Sequence, residues 1–281
     1  METSNNTDGL STDLLQKYAE TLKLAAYAET GGKKTLQIGH LIEAFGAENI
    51  GLISCERGLN TINSLVDERY VYRVDSLDGL RAAWKWANDN GFNTPDKWVC
   101  VDGGSRVLDW VQQEIFGGAM KALEEILGGK SRRDLDAAVR KFAPFVTKEE
   151  DLNNQQMWIR TGFECSRLLD SFVKLGSNMY WTFWKEQTSL DQYRKGPPAI
   201  PDTPGKGALS AVKGTFDFIF HLVPNGEAVT AYFRNPPGSN SYYGKTRDDW
   251  RGGIKVPDSM PNFNMAEFVR LVQGKAKEGG K

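Results

Sequence analysis

Leu22-Lys23-Leu24-Ala25-Ala26-Tyr27-Ala28-Glu29-Thr30-Gly31-Gly32-Lys33-Lys34-Thr35 is the stretch from which the rest of the chain is read. It predicts a buried strand over 22–28, a glycine-bearing turn, and an amphipathic helix over Thr35–Phe45. In that layout the backbone N–H groups of Thr30, Gly31, Gly32 and Lys33, with those of the helix N-terminus, face an anion and can cradle a polyphosphate. Lys34 would then reach the β/γ-phosphates and the Thr35 hydroxyl would ligate Mg²⁺. The match to G-x-x-x-x-G-K-[ST] has two departures: Ala28 stands at the first glycine and Lys33 at the glycine before the lysine. Reading Gly32-Lys33 as the Gly-Lys pair instead would put Lys34 where a hydroxyl is needed, so the Lys34-Thr35 register is kept. An ordinary strand–turn–helix junction is the competing reading of the same residues.

Two carboxylates at predicted strand tips bear on the choice. Trp98-Val99-Cys100-Val101-Asp102 is an apolar strand that ends in an acid and runs into Gly103-Gly104-Ser105. Asp102 is expected at the tip of the strand beside the loop strand, where an acid orients Mg²⁺ or its water. Leu52-Ile53-Ser54-Cys55-Glu56-Arg57-Gly58-Leu59 places Glu56 just past another strand. Strand tips of an open α/β sheet form the ligand crevice, and a carboxylate there can polarise the water that attacks a γ-phosphate. The bland alternatives are a strand-ending turn residue for Asp102 and a solvated turn glutamate paired with Arg57 for Glu56.

Composition narrows the classes. The 281 residues are 40% hydrophobic and 11% aromatic, with eight Trp, which supports a real core and argues against disorder. No apolar run approaches the roughly 18 residues of a membrane span, and no basic-then-apolar signal segment opens the chain, so no membrane association and a cytoplasmic location are expected. Cys55, Cys100 and Cys165 are widely spaced and read as buried thiols rather than metal ligands or a disulfide frame. With His40 and His221 the only histidines, a histidine-rich metal site is excluded. A net charge of −1 carries no global nucleic-acid signature, so binding of that kind needs a local patch.

Along the chain, residues 1–20 read as a polar tail with a short helix around Thr12–Thr21, 21–273 as one nucleotide-binding domain with a helical insertion at about 115–155, and 274–281 as a second tail. Strands are expected at 22–28, 50–54, 70–74, 98–102 and 179–184, and helices at 35–45, 77–88, from about 106, 119–127, 132–142 and 157–175. This β–α alternation argues an α/β fold with a mainly parallel sheet covered on both faces. Residues 194–214, rich in Pro, Gly and Lys, read as a long functional loop. Two strands over 216–222 and 228–234, joined by Pro224-Asn225-Gly226, form a C-terminal antiparallel hairpin; 241–245 is a further strand and 265–272 a closing helix.

These motifs resemble the RecA-fold P-loop ATP-binding proteins of bacteriophages, a recombination-associated group often labelled AAA-family ATPases. The family's acid-x-Glu-x-x-Leu strand end is matched here at Glu56 and Leu59, with Ser54 in place of the leading acid. Val74-Asp75-Ser76-Leu77 is similar to its strand-to-helix link. Gly196-Pro197-Pro198 through Lys206-Gly207-Ala208-Leu209, followed by Phe216-Asp217, is similar to its Gly-Pro/Pro-Gly-Lys-Ala-Leu region, and Gly244-Lys245-Thr246-Arg247-Asp248 to its Lys-x-Arg. The resemblance covers about 22–273, least well over 115–155. It implies a RecA-like ATPase using ATP and Mg²⁺, with Glu56 as the base, working on single-stranded DNA in phage recombination or replication. It also implies a homo-oligomer, ring or filament, and phage single-strand-binding or annealing proteins as partners. In that setting Lys245 and Arg247, on one face of a strand, would act in a neighbouring subunit's site; the alternative is a basic edge strand. Arg194, Lys195, Lys206 and Lys213 would contact nucleic-acid phosphates, or simply solvate a loop. Trp181 and Trp184 are either base-stacking platforms or core, with Trp184, near the strand end, expected to face the crevice rather than Trp181, and Glu186 or Gln187 could sense the γ-phosphate.

Lys33 in place of glycine and Ser54 in place of an acid favour a second reading, a non-hydrolysing, degenerate P-loop that serves as an interaction or regulatory module. A small-molecule kinase is a third, but no lid segment with clustered arginines accompanies the loop.

Overall fold

Lys23–Ala28 form β1, and all six residues are buried. In the computed structural model, which describes residues 21–56, 58–145, 148, 155–186, 199–235, 242–247 and 255–274, this strand is an inner member of an eight-stranded sheet. The N-terminal tail, the C-terminal tail beyond Gly274, Arg57, Gln187, Arg194 and Lys195 lie outside the described residues.

The remaining strands are β2 (Ile50–Ser54), β3 (Val71–Arg73), β4 (Trp98–Asp102), β5 (Asn178–Trp184), β6 (Phe218–Asn225), β7 (Ala228–Tyr232) and β8 (Ser259–Met260). Their order across the sheet is β3-β2-β4-β5-β1-β6-β7-β8. From β3 to β6 every neighbouring pair is parallel; β7 and β8 add antiparallel edges. The expected mixed α/β fold, with a mostly parallel sheet flanked by helices, is present. One expectation changes: the strand carrying Asp102 does not lie beside β1. β5 is inserted between them, pairing Ala25 with Trp181 on one side and Val101 with Trp181 on the other.

The alternation of β1 assigns its side chains to two layers. Ala25 and Tyr27 join a core with Ile53, Val101, Trp181 and Phe183. This layer is covered by α2 (Leu77–Asp89), α3 (Gly104–Leu127), α5 (Gln155–Val173) and α6 (Gly205–Thr215). Leu24, Ala26 and Ala28 face the other layer with Leu52, Cys100, Phe218 and Phe220, under α1 (Lys34–Phe45) and α7 (Met265–Val272). Because both faces are covered, the strands are near-continuously apolar, as parallel strands must be. Trp181 is fully buried and stacks on core rings, so it offers no platform to a base. The three cysteines are free and buried.

Three elements depart from expectation. Residues 205–215, read as loop, form α6. Its glycines, which count against a helix in isolation, serve a close crossing with α5: a Cβ on Gly162 would stand 2.7 Å from the Gly207 Cα. α3 runs unbroken from Gly104 to Leu127, straight through the expected insertion boundary at 115, while of 132–142 only Ala137–Arg140 is helical (α4). The expected strand at 241–245 reduces, among the described residues, to a single bridge between Lys245 and Ile219.

Candidate nucleotide-binding site

The parallel strands end together, and the candidate residues gather at that end of the sheet. After Ala28 the chain turns tightly, with the Gly32 N–H donating to the Glu29 carbonyl at 3.0 Å. Gly32 is required by closeness, since a Cβ there would lie 2.3 Å from the Ala28 Cβ. Gly31 has φ 76°, a conformation suited to glycine. Lys33 then takes φ 58° and ψ 27°, left-handed for a residue with a side chain, at a cost of about 1–2 kcal/mol. Its ammonium donates to the Gly226 carbonyl at 3.0 Å and to the Glu227 carbonyl, both in the β6–β7 turn. The backbone at this motif position thus keeps glycine's conformation, and the side chain points away from the loop's concavity.

α1 begins at Lys34 with no side-chain cap, so its first N–H groups are left to an external acceptor. The Lys34 ammonium is buried, 3.2 Å from both the Ala28 and Glu29 carbonyls. Burial pushes its pKa down, and the carboxylates of Glu56 and Asp102 pull it back up. The Thr35 hydroxyl donates to Asp102 Oδ2 at 2.9 Å. Asp102 is 1% exposed; its Oδ1 accepts from the Thr182 hydroxyl of β5 at 2.8 Å, and burial raises its pKa against those two bonds. The inserted strand therefore carries Asp102 toward the loop: Thr182 is a polar residue in an otherwise apolar strand, and that was the available sequence signal.

Glu56 follows β2 at the same end, its carbonyl held by the Ser54 hydroxyl at 2.8 Å. A Cβ on Gly103, which has φ 112°, would lie 3.1 Å from Glu56 Oε1. Burial and then Asp102 raise the Glu56 pKa; Lys34, and less strongly Arg106, lower it. Oε1 is buried without a hydrogen-bond partner. Beside the loop, Ala28, Glu29, Thr30, Trp184, Lys185, Glu186 and Asp202 line a cavity of about 530 Å³. An ion pair of 2.6 Å joins Lys185 to Glu29 across it. Trp184, expected to face the crevice in preference to Trp181, lines this cavity; Lys185 and Asp202 were not among the residues expected here.

The donor set suits Mg²⁺: a hydroxyl and a carboxylate are hard oxygen ligands, and this ion takes few protein ligands alongside substrate phosphates. Gly58 leaves that pair uncovered, a Cβ there standing 3.6 Å from both oxygens. No group of three or more His, Cys, Asp or Glu that could cage a metal occurs among the described residues.

The other expected residues lie elsewhere. Lys245 and Arg247 sit at the opposite end of the sheet, where β1 and β6 begin. The Lys245 ammonium donates to the Lys213 and Phe216 carbonyls at 2.7 Å each, and Arg247 pairs with Asp217 at 2.9 Å. Lys206 and Lys213 are on α6 rather than a loop, the Lys213 ammonium lying 4.1 Å from the Tyr243 ring centre.

No protein-family model matches the chain, and no curated protein matches it. One solved structure similar to it is a prototypical ATPase from the type III secretion system of pathogenic bacteria. It is 13% identical, with a TM-score of 0.34, over 74% of this chain. The chain spans about half of that protein, 54% of its length. At this level the likeness adds nothing to the geometry above.

Proposed function

We propose that the chain is a RecA-like P-loop ATPase whose site is the crevice at the tips of β1, β5, β4 and β2. The observation that carries this reading is the Thr35–Asp102 hydrogen bond of 2.9 Å, with Lys34 and Glu56 beside it. It joins a cation, a hydroxyl and two carboxylates from three separate segments at one loop. The turn N–H groups and Lys34 bind the phosphates; Thr35 and Asp102 would hold Mg²⁺, which supplies charge neutralisation on the phosphate oxygens. Glu56 takes a proton from the attacking water as its oxygen bonds to the γ-phosphorus. The bond to the bridging oxygen breaks, its electron pair leaves with ADP, and the proton returns to product.

Calorimetry with ATP and Mg²⁺, together with phosphate release, tests the reading. Lys34→Ala removes a charge-assisted donor and should weaken binding by about 1.5–3 kcal/mol, roughly ten- to hundredfold. Glu56→Gln should bind as wild type does and lose about 10²–10⁴ in turnover. Equal ATP affinity in wild type and Lys34→Ala discards the assignment.

The Lys33 ammonium on the Gly226 and Glu227 carbonyls favours one other reading, in which ATP binds without turnover and the loop relays its occupancy to the β6–β7 hairpin. Lys34-dependent binding with no phosphate release would select it.

A further inference from the structure

The helices that cover the Trp181 layer leave a second cavity among them, of about 390 Å³. Residues of α2, α3 and α5 line it, together with Lys141 and Phe142, which follow α4. None of them belongs to the nucleotide crevice. Its wall has two characters. Val111 and Ile115, one turn apart on α3, and Phe142 are buried apolar residues. On α5, Arg160, Glu164, Arg167 and Leu168 fall at i, i+4, i+7 and i+8, a single stripe of the helix that carries charge along the cavity.

That charge is unbalanced. Four cations line the cavity, Arg81, Lys141, Arg160 and Arg167, against two carboxylates, Glu114 and Glu164. Glu114 holds Arg81 at 2.9 Å and Lys141 at 3.3 Å; Glu164 holds Arg160 at 2.5 Å and Arg167 at 3.2 Å. Arg81 has a further carboxylate, Asp78, outside the lining at 2.6 Å. Each glutamate therefore keeps one cation closely and a second loosely, and a single negative charge cannot neutralise both. The looser two, Lys141 and Arg167, have side chains 51% and 63% exposed. Among the described residues neither pairs with another carboxylate.

We propose that this cavity binds a small amphiphilic anion. Its apolar body lies against Val111, Ile115, Phe142 and Leu168, and its carboxylate, phosphate or sulfonate group is taken by Lys141 and Arg167. The volume is that of a small-molecule site, and an apolar wall with a few charged groups is the usual way such a site fixes its ligand. Entry breaks only the two long contacts, because Arg81 and Arg160 stay on their glutamates. A cation is repelled by the excess positive lining, and a neutral molecule gains nothing from it.

The test is a fluorescence titration of the full chain with anilinonaphthalene sulfonate, an apolar aromatic body bearing one anionic group. Phenylnaphthylamine, which has the same rings and no charge, is the comparison. The sulfonate should bind saturably, one per chain, more tightly than the amine, and more weakly as salt rises. The double variant Lys141→Gln, Arg167→Gln should lose about tenfold in sulfonate affinity and leave the amine unchanged. Arg69→Gln with Lys130→Gln, an equal loss of charge at other exposed sites, should bind the sulfonate as wild type does. Lys34→Ala should do so as well, which separates this cavity from the phosphate loop. The inference is overturned by an absence of saturable binding, by equal affinities in wild type and the Lys141, Arg167 double variant, or by an equal loss in either control. Should oligoglutamate bind through Lys141 and Arg167 while the sulfonate does not, the surface receives an acidic protein segment and the small-ligand site falls.

Discussion

Glu56 combines two demands that conflict for stability. As the proposed base it must be ionised, yet burial and the Asp102 carboxylate raise its pKa above that of an ordinary glutamate. The unfolded chain holds this carboxyl at about 4.3, so the folded state binds its proton more tightly. Stability is therefore lost as pH rises through the unfolded value, and the loss is complete above the raised folded one. Glu56→Gln carries no such charge. Its melting temperature should match wild type at about pH 4 and exceed it at about pH 8, even as turnover is lost. A gap that narrows toward alkaline pH would contradict the assignment of this residue to a buried, charge-strained position. Lys33 shows a related economy: a strained φ of 58° is retained where the side chain has two carbonyls to bind in the next hairpin.

At the scale of elements, the α5–α6 crossing is the contact least expected from propensity. Gly162 and Gly207 allow the two backbones to touch, and the Trp158 ring lies over Gly205. Gly162→Ala improves intrinsic helix propensity by roughly 0.8–1.0 kcal/mol but forces a Cβ against the backbone of Gly207, where no rotamer change relieves it. The balance should be a net destabilisation of about 1–3 kcal/mol, read from denaturant unfolding with an unchanged slope. A stabilised variant would mean that the helices do not pack this closely. β5 is the other element whose placement matters most: set between β1 and β4, it brings Thr182 onto Asp102 and pairs Trp184 with Ala28 at the edge of the turn.

For the whole molecule, the crevice and the Lys245–Arg247 pair occupy opposite ends of the sheet. Lys245 caps carbonyls at the end of α6, and Arg247 is ion-paired to Asp217, a contact that is half exposed on the arginine side and worth about 0–1 kcal/mol. A role for Arg247 in a neighbouring site requires that pair to open. If subunits complete one another's sites, specific activity should rise with protein concentration, and Arg247→Ala subunits should be rescued by mixing with Lys34→Ala subunits. A concentration-independent rate without rescue assigns the pair to structure alone. Single-stranded DNA added to the same assay should raise turnover if it is the partner, and an unchanged rate removes it.

The sequence by itself determined the mostly parallel α/β class, and it marked the loop, Lys34, Thr35 and the acids Asp102 and Glu56 as candidates that the fold brings to one end of the sheet. Each is written in a short window: an apolar run of strand length, glycines at a turn, a polar residue where the run stops. The tertiary structure alone decided which strands are neighbours, that residues 205–215 are helical, that Trp181 is core, and that Thr182 reaches Asp102 while Lys245 and Arg247 lie at the far end. Those outcomes depend on which backbones approach closely enough to exclude a Cβ and which buried polar atoms find partners. The local pattern of residues does not encode them, because they arise between segments far apart in the chain.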